Sequence, residues 1–200
     1  MIDNLCTHSS YSRKIMLESS MMYDGNSIKK SYAVMKEFYQ VVEKDENKNV
    51  IQTIQFRLCN LKDINHTISR LATSVVVDDI ELYEIKNLAL LAADVKNILE
   101  KISLDKIIEI PSLDDVVNIL DPDGLRIATF YIYDSYSDEL ASLRKMLKEK
   151  DVYQEEVYNE VMRIEDEIRA ELSKKLKPYS ELMVAALNAL AYVDINIAKS

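Results

Sequence analysis

Apolar residues recur at spacings of three and four along most of the chain, the mark of helices that each bury one stripe. The strongest run begins at Asp78-Asp79 and carries Leu82, Ile85, Ala89, Ala92, Val95, Leu99 and Ile102. Before it, Val50, Ile54, Leu58 and Leu61 keep helical spacing, as do Ile64, Ile68 and Leu71. The β-branched Val75-Val76-Val77 ends that stretch. Ser9 to Tyr23 reads as a first helix with Ile15, Met16 and Met22 on one side. Asp24-Gly25-Asn26 is a turn signal. Ser27 fits the N-cap of a second helix to about Val42, with Ile28, Met35, Phe38 and Val42 inward. Lys44 to Asn49 is a polar break.

Past the long run, Pro111-Ser112-Leu113-Asp114-Asp115 reads as a short helix's start, with Ser112 as cap. Asp121-Pro122-Asp123-Gly124 is a turn, because Pro presets φ and Gly supplies a positive one. Thr129 to Tyr133 is the best strand candidate, and the stretch from Lys106 to Ile110 its obvious partner. Ser137 caps a seam of Leu140, Leu143, Leu147, Val157, Val161, Ile164, Ile168, Leu172 and Leu176. Lys148 to Val152 interrupts it, as one continuous helix or as two antiparallel ones. Pro178 ends or kinks the element. Ser180 to Ala198 forms a last helix through Leu182, Ala186, Leu190 and Val193. The prediction is an all-α multi-helix bundle with at most one short β-hairpin.

Composition agrees. Two Gly and three Pro among 200 residues are too few for a sandwich, barrel or Rossmann unit, whereas long helices need few special turns. The net charge is −9. Residues 1–110 hold 14 basic and 16 acidic side chains, and residues 111–200 hold 11 and 18, so any nucleic-acid contact must be a local patch. No run approaches the roughly 18 apolar residues of a membrane span. The first twelve residues lack the apolar stretch of a signal peptide, and Cys6 and Cys59 suggest no disulfide framework, so cytoplasm is the expected location.

Motifs that would carry chemistry are missing. Neither glycine opens a G-x-x-x-x-G-K-[ST] phosphate loop, and no H-E-x-x-H or C-x-x-C occurs. Cys6, His8, Cys59 and His66 fit no standard zinc spacing and read as scattered structural residues. No G-x-S-x-G elbow supports a serine hydrolase, and no pair of E-x-x-H motifs supports a di-iron site. Glu155-Glu156 and Glu165-Asp166-Glu167 read as a solvated helix face. Twelve tyrosines raise the idea of base stacking; Tyr32, Tyr39, Tyr83 and Tyr192 lie near apolar stripes, so core roles are the better reading.

The order of segments resembles the core region of the MutS family of DNA mismatch-repair proteins. Ser10-Tyr11-Ser12-Arg13-Lys14-Ile15-Met16-Leu17-Glu18 is similar to that family's G-R-R-L-L helix, with Ser12 in place of the glycine. Asp24 to Val42 is similar to the helix after it. Leu61-Lys62-Asp63-Ile64-Asn65-His66-Thr67-Ile68-Ser69-Arg70-Leu71 is like L-x-D-I-E-R-x-L-x-R-L. Phe130 to Leu140 resembles G-Y-N-x-E-L-D-E-L-R, and Leu187 to Asp194 resembles the A-L-A-x-L-D helix that feeds the ATPase domain.

The resemblance implies an elongated, non-catalytic module in three parts: a helical core over 1–137, a lever with a shortened clamp over 138–177, and a return helix over 178–200 leading to an ATPase domain this chain lacks. No cofactor is expected in this chain; ATP and magnesium would belong to that domain. The implied role is to couple contact with double-stranded DNA to the ATPase. At the arm's tip, Arg144, Lys145, Lys148 and Lys150 stand against Glu149 and Asp151, the candidate phosphate contacts. Leu187 and Leu190 of the last helix are expected to be uncovered, so a homodimer is expected. The alternative is a helical protein–protein interaction scaffold with no nucleic-acid role, associating through Leu140 to Leu176.

Overall fold

The computed structural model describes residues 6–19, 23–148 and 154–200. The chain is all-α: among the described residues there are helices, short 3₁₀ turns and irregular connections, and no strand. The helices are α1 (Ser10–Glu18), α2 (Gly25–Val42), α3 (Lys48–Leu58), α4 (Asn65–Ala72), α5 (Asp79–Lys101), α6 (Asp114–Leu120), α7 (Asp138–Lys148), α8 (Gln154–Leu176) and α9 (Ser180–Lys199). They fall into two compact units interleaved along the sequence. Unit 1 comprises Met1–Asp63, Leu88–Leu113 and Leu182–Ser200; unit 2 comprises Ile64–Asn87 and Asp114–Glu181.

Unit 1 is built on the apolar stripes of α3, α5 and α9. Ile54, Leu58, Ala89, Ala92, Val95 and Leu99 are buried. So are Leu187 and Leu190, fully. The expectation that these two leucines lie uncovered is therefore wrong, because the chain's own core takes them. Burying a leucine side chain stabilises by about 1.5–3 kcal/mol, so each stripe outweighs its weak local propensities. Asp194 is wholly buried on α9 and receives the backbone N–H groups of His8 (3.0 Å) and Ser9 (2.9 Å) and the His8 ring Nδ1 (3.2 Å). The start of α1 is thus pinned to α9, and the Tyr11 hydroxyl donates to Asn188 Oδ1 at 2.7 Å. Ser12 is fully buried with its N–H donating to Ser9 Oγ.

Several helix ends differ from expectation. α1 stops at Glu18 rather than Tyr23, and Met22 lies outside the described residues. α2 is capped by Asp24, not Ser27: the Asp24 carboxylate accepts the Ser27 N–H and hydroxyl, both at 2.8 Å. An Asx cap draws Gly25 and Asn26 into the first turn, where the turn signal was read. Of the inward residues foreseen on α2, only Phe38 is buried, and Ile28 is 47% exposed. Tyr32, Tyr39 and Tyr192 are exposed, so the core role foreseen for them fails, while Tyr83 is half-buried. Among the described residues the buried tyrosines are Tyr11 and Tyr133.

In unit 2, α5 starts on a reciprocal cap: Asp78 Oδ1 accepts the Glu81 N–H (2.8 Å) and Glu81 Oε2 accepts the Asp78 N–H (3.0 Å). The 121–124 turn forms as foreseen, with Gly124 at φ +65° and its N–H donating to Asp121 O at 2.9 Å. Thr129 to Tyr133 is not a strand. Lys106 to Ile110 forms none either, so neither segment has a ladder to join. Ser137 caps α7, its hydroxyl accepting the Leu140 N–H at 3.2 Å. The seam from 140 to 176 is two helices, α7 and α8, that pack on one another. Leu140, Val161, Ile164, Ile168, Leu172 and Leu176 are buried within the chain, while Leu143, Leu147 and Val157 of the same seam are half-buried. One helical run, Glu155–Lys199, does hold a window long and apolar enough to cross a membrane, contrary to the sequence reading. Buried positions make up 56% of that window, which gives its apolarity a place in the core.

Candidate nucleic-acid interface

The four cations foreseen at the arm's tip separate in the structure. Arg144 points back into unit 2. Its guanidinium donates to Ile132 O at 2.8 Å and to Glu165 Oε1 of α8 at 2.8 Å, and pairs with Asp134. Its side chain is 25% exposed. Burial disfavours its charge, but the hydrogen bonds it donates to Glu165 and Asp134 outweigh that and raise its pKa. Arg144 is a staple between α7, α8 and the segment before α7, not a free phosphate ligand. Lys145 and Lys148 are exposed three residues apart on one face of the last turn of α7, and neither pairs with another described residue. Lys150 lies outside the described residues.

Lys145 and Lys148 also sit where the helix dipole favours positive charge, an effect of about 0.3–1 kcal/mol at an exposed end. That contribution to stability needs no ligand. What the pair offers beyond it is two mobile ammonium groups on one face, able to meet adjacent phosphates as point charges.

Behind this tip stands a network that the sequence reading missed. Glu165 links Arg144 to Arg169, which reaches Asp166 at 2.7 Å and Asp79 at the start of α5 at 2.7 Å and 3.1 Å. The Asp79 hydrogen bond is the main cause of a raised Arg169 pKa. Glu165 is only 15% exposed at its side chain, against 74% for Asp166, so the acidic run is not uniformly a solvated face. The available signal was the i, i+4 spacing of Glu165 and Arg169. One turn further on, Ser173 Oγ accepts the buried Val77 N–H at 3.1 Å. α8, a helix of 23 residues and about 35 Å, is therefore tied at three successive turns, through Glu165, Arg169 and Ser173.

A second polar cluster lies under the irregular 121–137 segment. Lys86 Nζ donates to Asp121 Oδ1 at 3.1 Å and to the Tyr133 hydroxyl at 3.0 Å, and lies 5.2 Å from the Tyr133 ring centroid. The Tyr133 hydroxyl donates onward to Thr129 O, and the Arg126 N–H donates to Asp121 Oδ2 at 2.5 Å. Burial pushes the Asp121 pKa up, yet the Arg126 N–H and the Lys86 ammonium prevail and hold it below the usual aspartate value. Neighbouring Tyr136, its hydroxyl donating to Ile119 O at 3.0 Å, has its pKa raised mainly by burial. Every buried side-chain polar atom among the described residues has a partner, so this cluster holds the segment down and presents no unsatisfied group to a substrate.

The four soft ligands weighed for zinc do not converge. Cys6 and Cys59 are exposed free thiols, His8 is bound to Asp194, and among the described residues no group of three or more metal-type side chains assembles. No protein-family model matches the sequence, and no curated protein matches it.

Proposed function

We propose that this chain is a cytoplasmic, non-catalytic coupling arm: the helical core and lever of a MutS-like DNA-handling protein, working with a nucleotide-driven ATPase domain. The observation that carries the reading is the α7–α8 pair, held by the Arg144–Glu165–Arg169–Asp79 chain of ion pairs. An arm that transmits a small rotation must not bend, and ion pairs that join α8 both to α7 and to the start of α5 resist bending. The pair also occupies the stretch that resembles the family's lever, and its exposed end carries Lys145 and Lys148. Double-stranded DNA is the partner such an end would meet through its phosphates.

The test is fluorescence anisotropy of the chain with a labelled duplex at low salt, comparing the parent with Lys145→Glu/Lys148→Glu. The coupling reading expects weaker binding and a salt slope reduced by about one for each lysine lost. Equal binding by both proteins rejects the tip as a DNA contact. The competing reading, a helical scaffold that binds proteins only, is favoured by the loss of Arg144 to internal pairing and by the net charge of −9. It expects no duplex binding by either protein at any salt.

A further inference from the structure

We infer that α2 is a dimerisation helix, whose uncovered apolar row packs antiparallel against the same row of a second copy of this chain. Ile28, Tyr32, Met35 and Tyr39 follow one another at spacings of four, three and four, which places them on a single stripe. Ile28 is 47% exposed, Tyr32 62% and Tyr39 48%, with Met35 half-buried between them. Phe38, the buried residue of α2, lies roughly 80° around the helix from that stripe at 100° per residue. The helix thus anchors itself by one edge and leaves its aromatic row uncovered among the described residues.

The charges beside the row select the occupant. Lys29, Lys36 and Glu43 form a parallel line at seven-residue spacing, basic toward the N-terminal end of α2 and acidic at its C-terminal end. None of the three pairs with another described residue, and all are exposed. An antiparallel two-fold with its axis between Met35 and Lys36 sets Tyr32 against Tyr39 of the second copy. It also brings Lys29 beside the second copy's Glu43. Symmetry makes each contact twice. Lys36 then lies over the second copy's Met35, where its aliphatic stem covers the thioether. A parallel pairing would stack Lys29 on Lys29 and Glu43 on Glu43, which like-charge repulsion disfavours.

One helix pair of 18 residues a side is a small interface, at the low end of specific contacts, so the dimer is concentration-dependent, with a Kd on the order of micromolar. It stands apart from the DNA-coupling reading: a chain that never meets DNA would still form it, and a monomer would leave the coupling arm intact.

Sedimentation velocity of the full chain, from about 1 to about 300 µM, reads the dimer directly. Lys29→Glu and Glu43→Lys should each raise Kd about tenfold, the double variant Lys29→Glu/Glu43→Lys should return it toward the parent value, and mixing the two single variants should give a heterodimer. Tyr32→Ser/Tyr39→Ser should leave a monomer with unchanged circular dichroism. A monomer at every concentration overturns the inference. So does a dimer indifferent to these α2 variants, because then a different surface or partner is at work, and so does a charge swap that fails to restore association.

Discussion

Lys86 Nζ lies 3.1 Å from Asp121 Oδ1, and both side chains are 1% exposed. Two charges taken out of water at this depth are tolerated because each has further partners: Tyr133 OH for the ammonium, the Arg126 N–H for the carboxylate. Removing either charge strands the other. Lys86→Met and Asp121→Leu should each cost about 3–5 kcal/mol of unfolding free energy. Lys86→Met/Asp121→Leu should cost clearly less than their sum, since no unpaired charge remains. Urea unfolding of the four proteins measures the coupling; strict additivity would show that the pair does not act as a unit.

The same aspartate sets an acid dependence. Its folded-state pKa is depressed, so the ionised form is favoured by folding. The stability this provides is present in full above the unfolded value of about 3.9 and is lost as pH falls below it through the folded value. Thermal midpoints measured between pH 7 and pH 2.5 should therefore drop below about pH 4. Asp121→Asn, less stable at pH 7, should show a shallower drop. An equally steep drop in both proteins would assign the acid sensitivity to other carboxylates.

The helices of both units were legible because their stripes are long: Leu82 to Leu99 on α5, and Leu140 with Val161 to Leu176 on α7 and α8, bury as the spacing requires, while Leu143, Leu147 and Val157 are half-buried. The errors arise where a local signal met a tertiary decision. Ile28, Met35 and Val42 keep helical period, but nothing in their own sequence says whether another helix covers them, and Phe38 alone is covered fully. Thr129 to Tyr133 has strand composition, but without a ladder the segment is fixed by side chains, with Tyr133 and Arg144 as its anchors. The candidate site was half legible for the same reason. Charge at the tip is visible in sequence; that Arg144 turns inward depends on Glu165, 21 residues away on another helix.

Asp194 should prove the main tether of α1. It is fully buried and accepts two backbone N–H groups and the His8 ring. Asp194→Ala strands those donors, at about 1–3 kcal/mol for a buried unsatisfied group, more where a charge was involved. Hydrogen exchange should show faster exchange at the His8 and Ser9 amides and through α1, while the amides of α8 keep their protection. Protection of α1 equal to that of the parent would place its anchorage elsewhere, in Tyr11 or the Lys14–Asp63 pair.

Arg144 and Lys148, one turn apart on α7, should behave oppositely. Arg144→Ala removes the bridge from α7 to Glu165 and leaves the Ile132 carbonyl and two carboxylates short of a donor. For partly buried, charge-assisted hydrogen bonds this should cost about 1.5–3 kcal/mol in urea unfolding. Lys145→Glu and Lys148→Glu exchange exposed side chains with no intramolecular partner among the described residues, and each should change stability by no more than about 1 kcal/mol, the loss of favourable helix-dipole charge included. Duplex affinity should order the variants the other way, falling with each lysine reversed. The coupling reading fails at its tip if Arg144→Ala, at a temperature where it remains folded, weakens DNA binding while the lysine reversals do not.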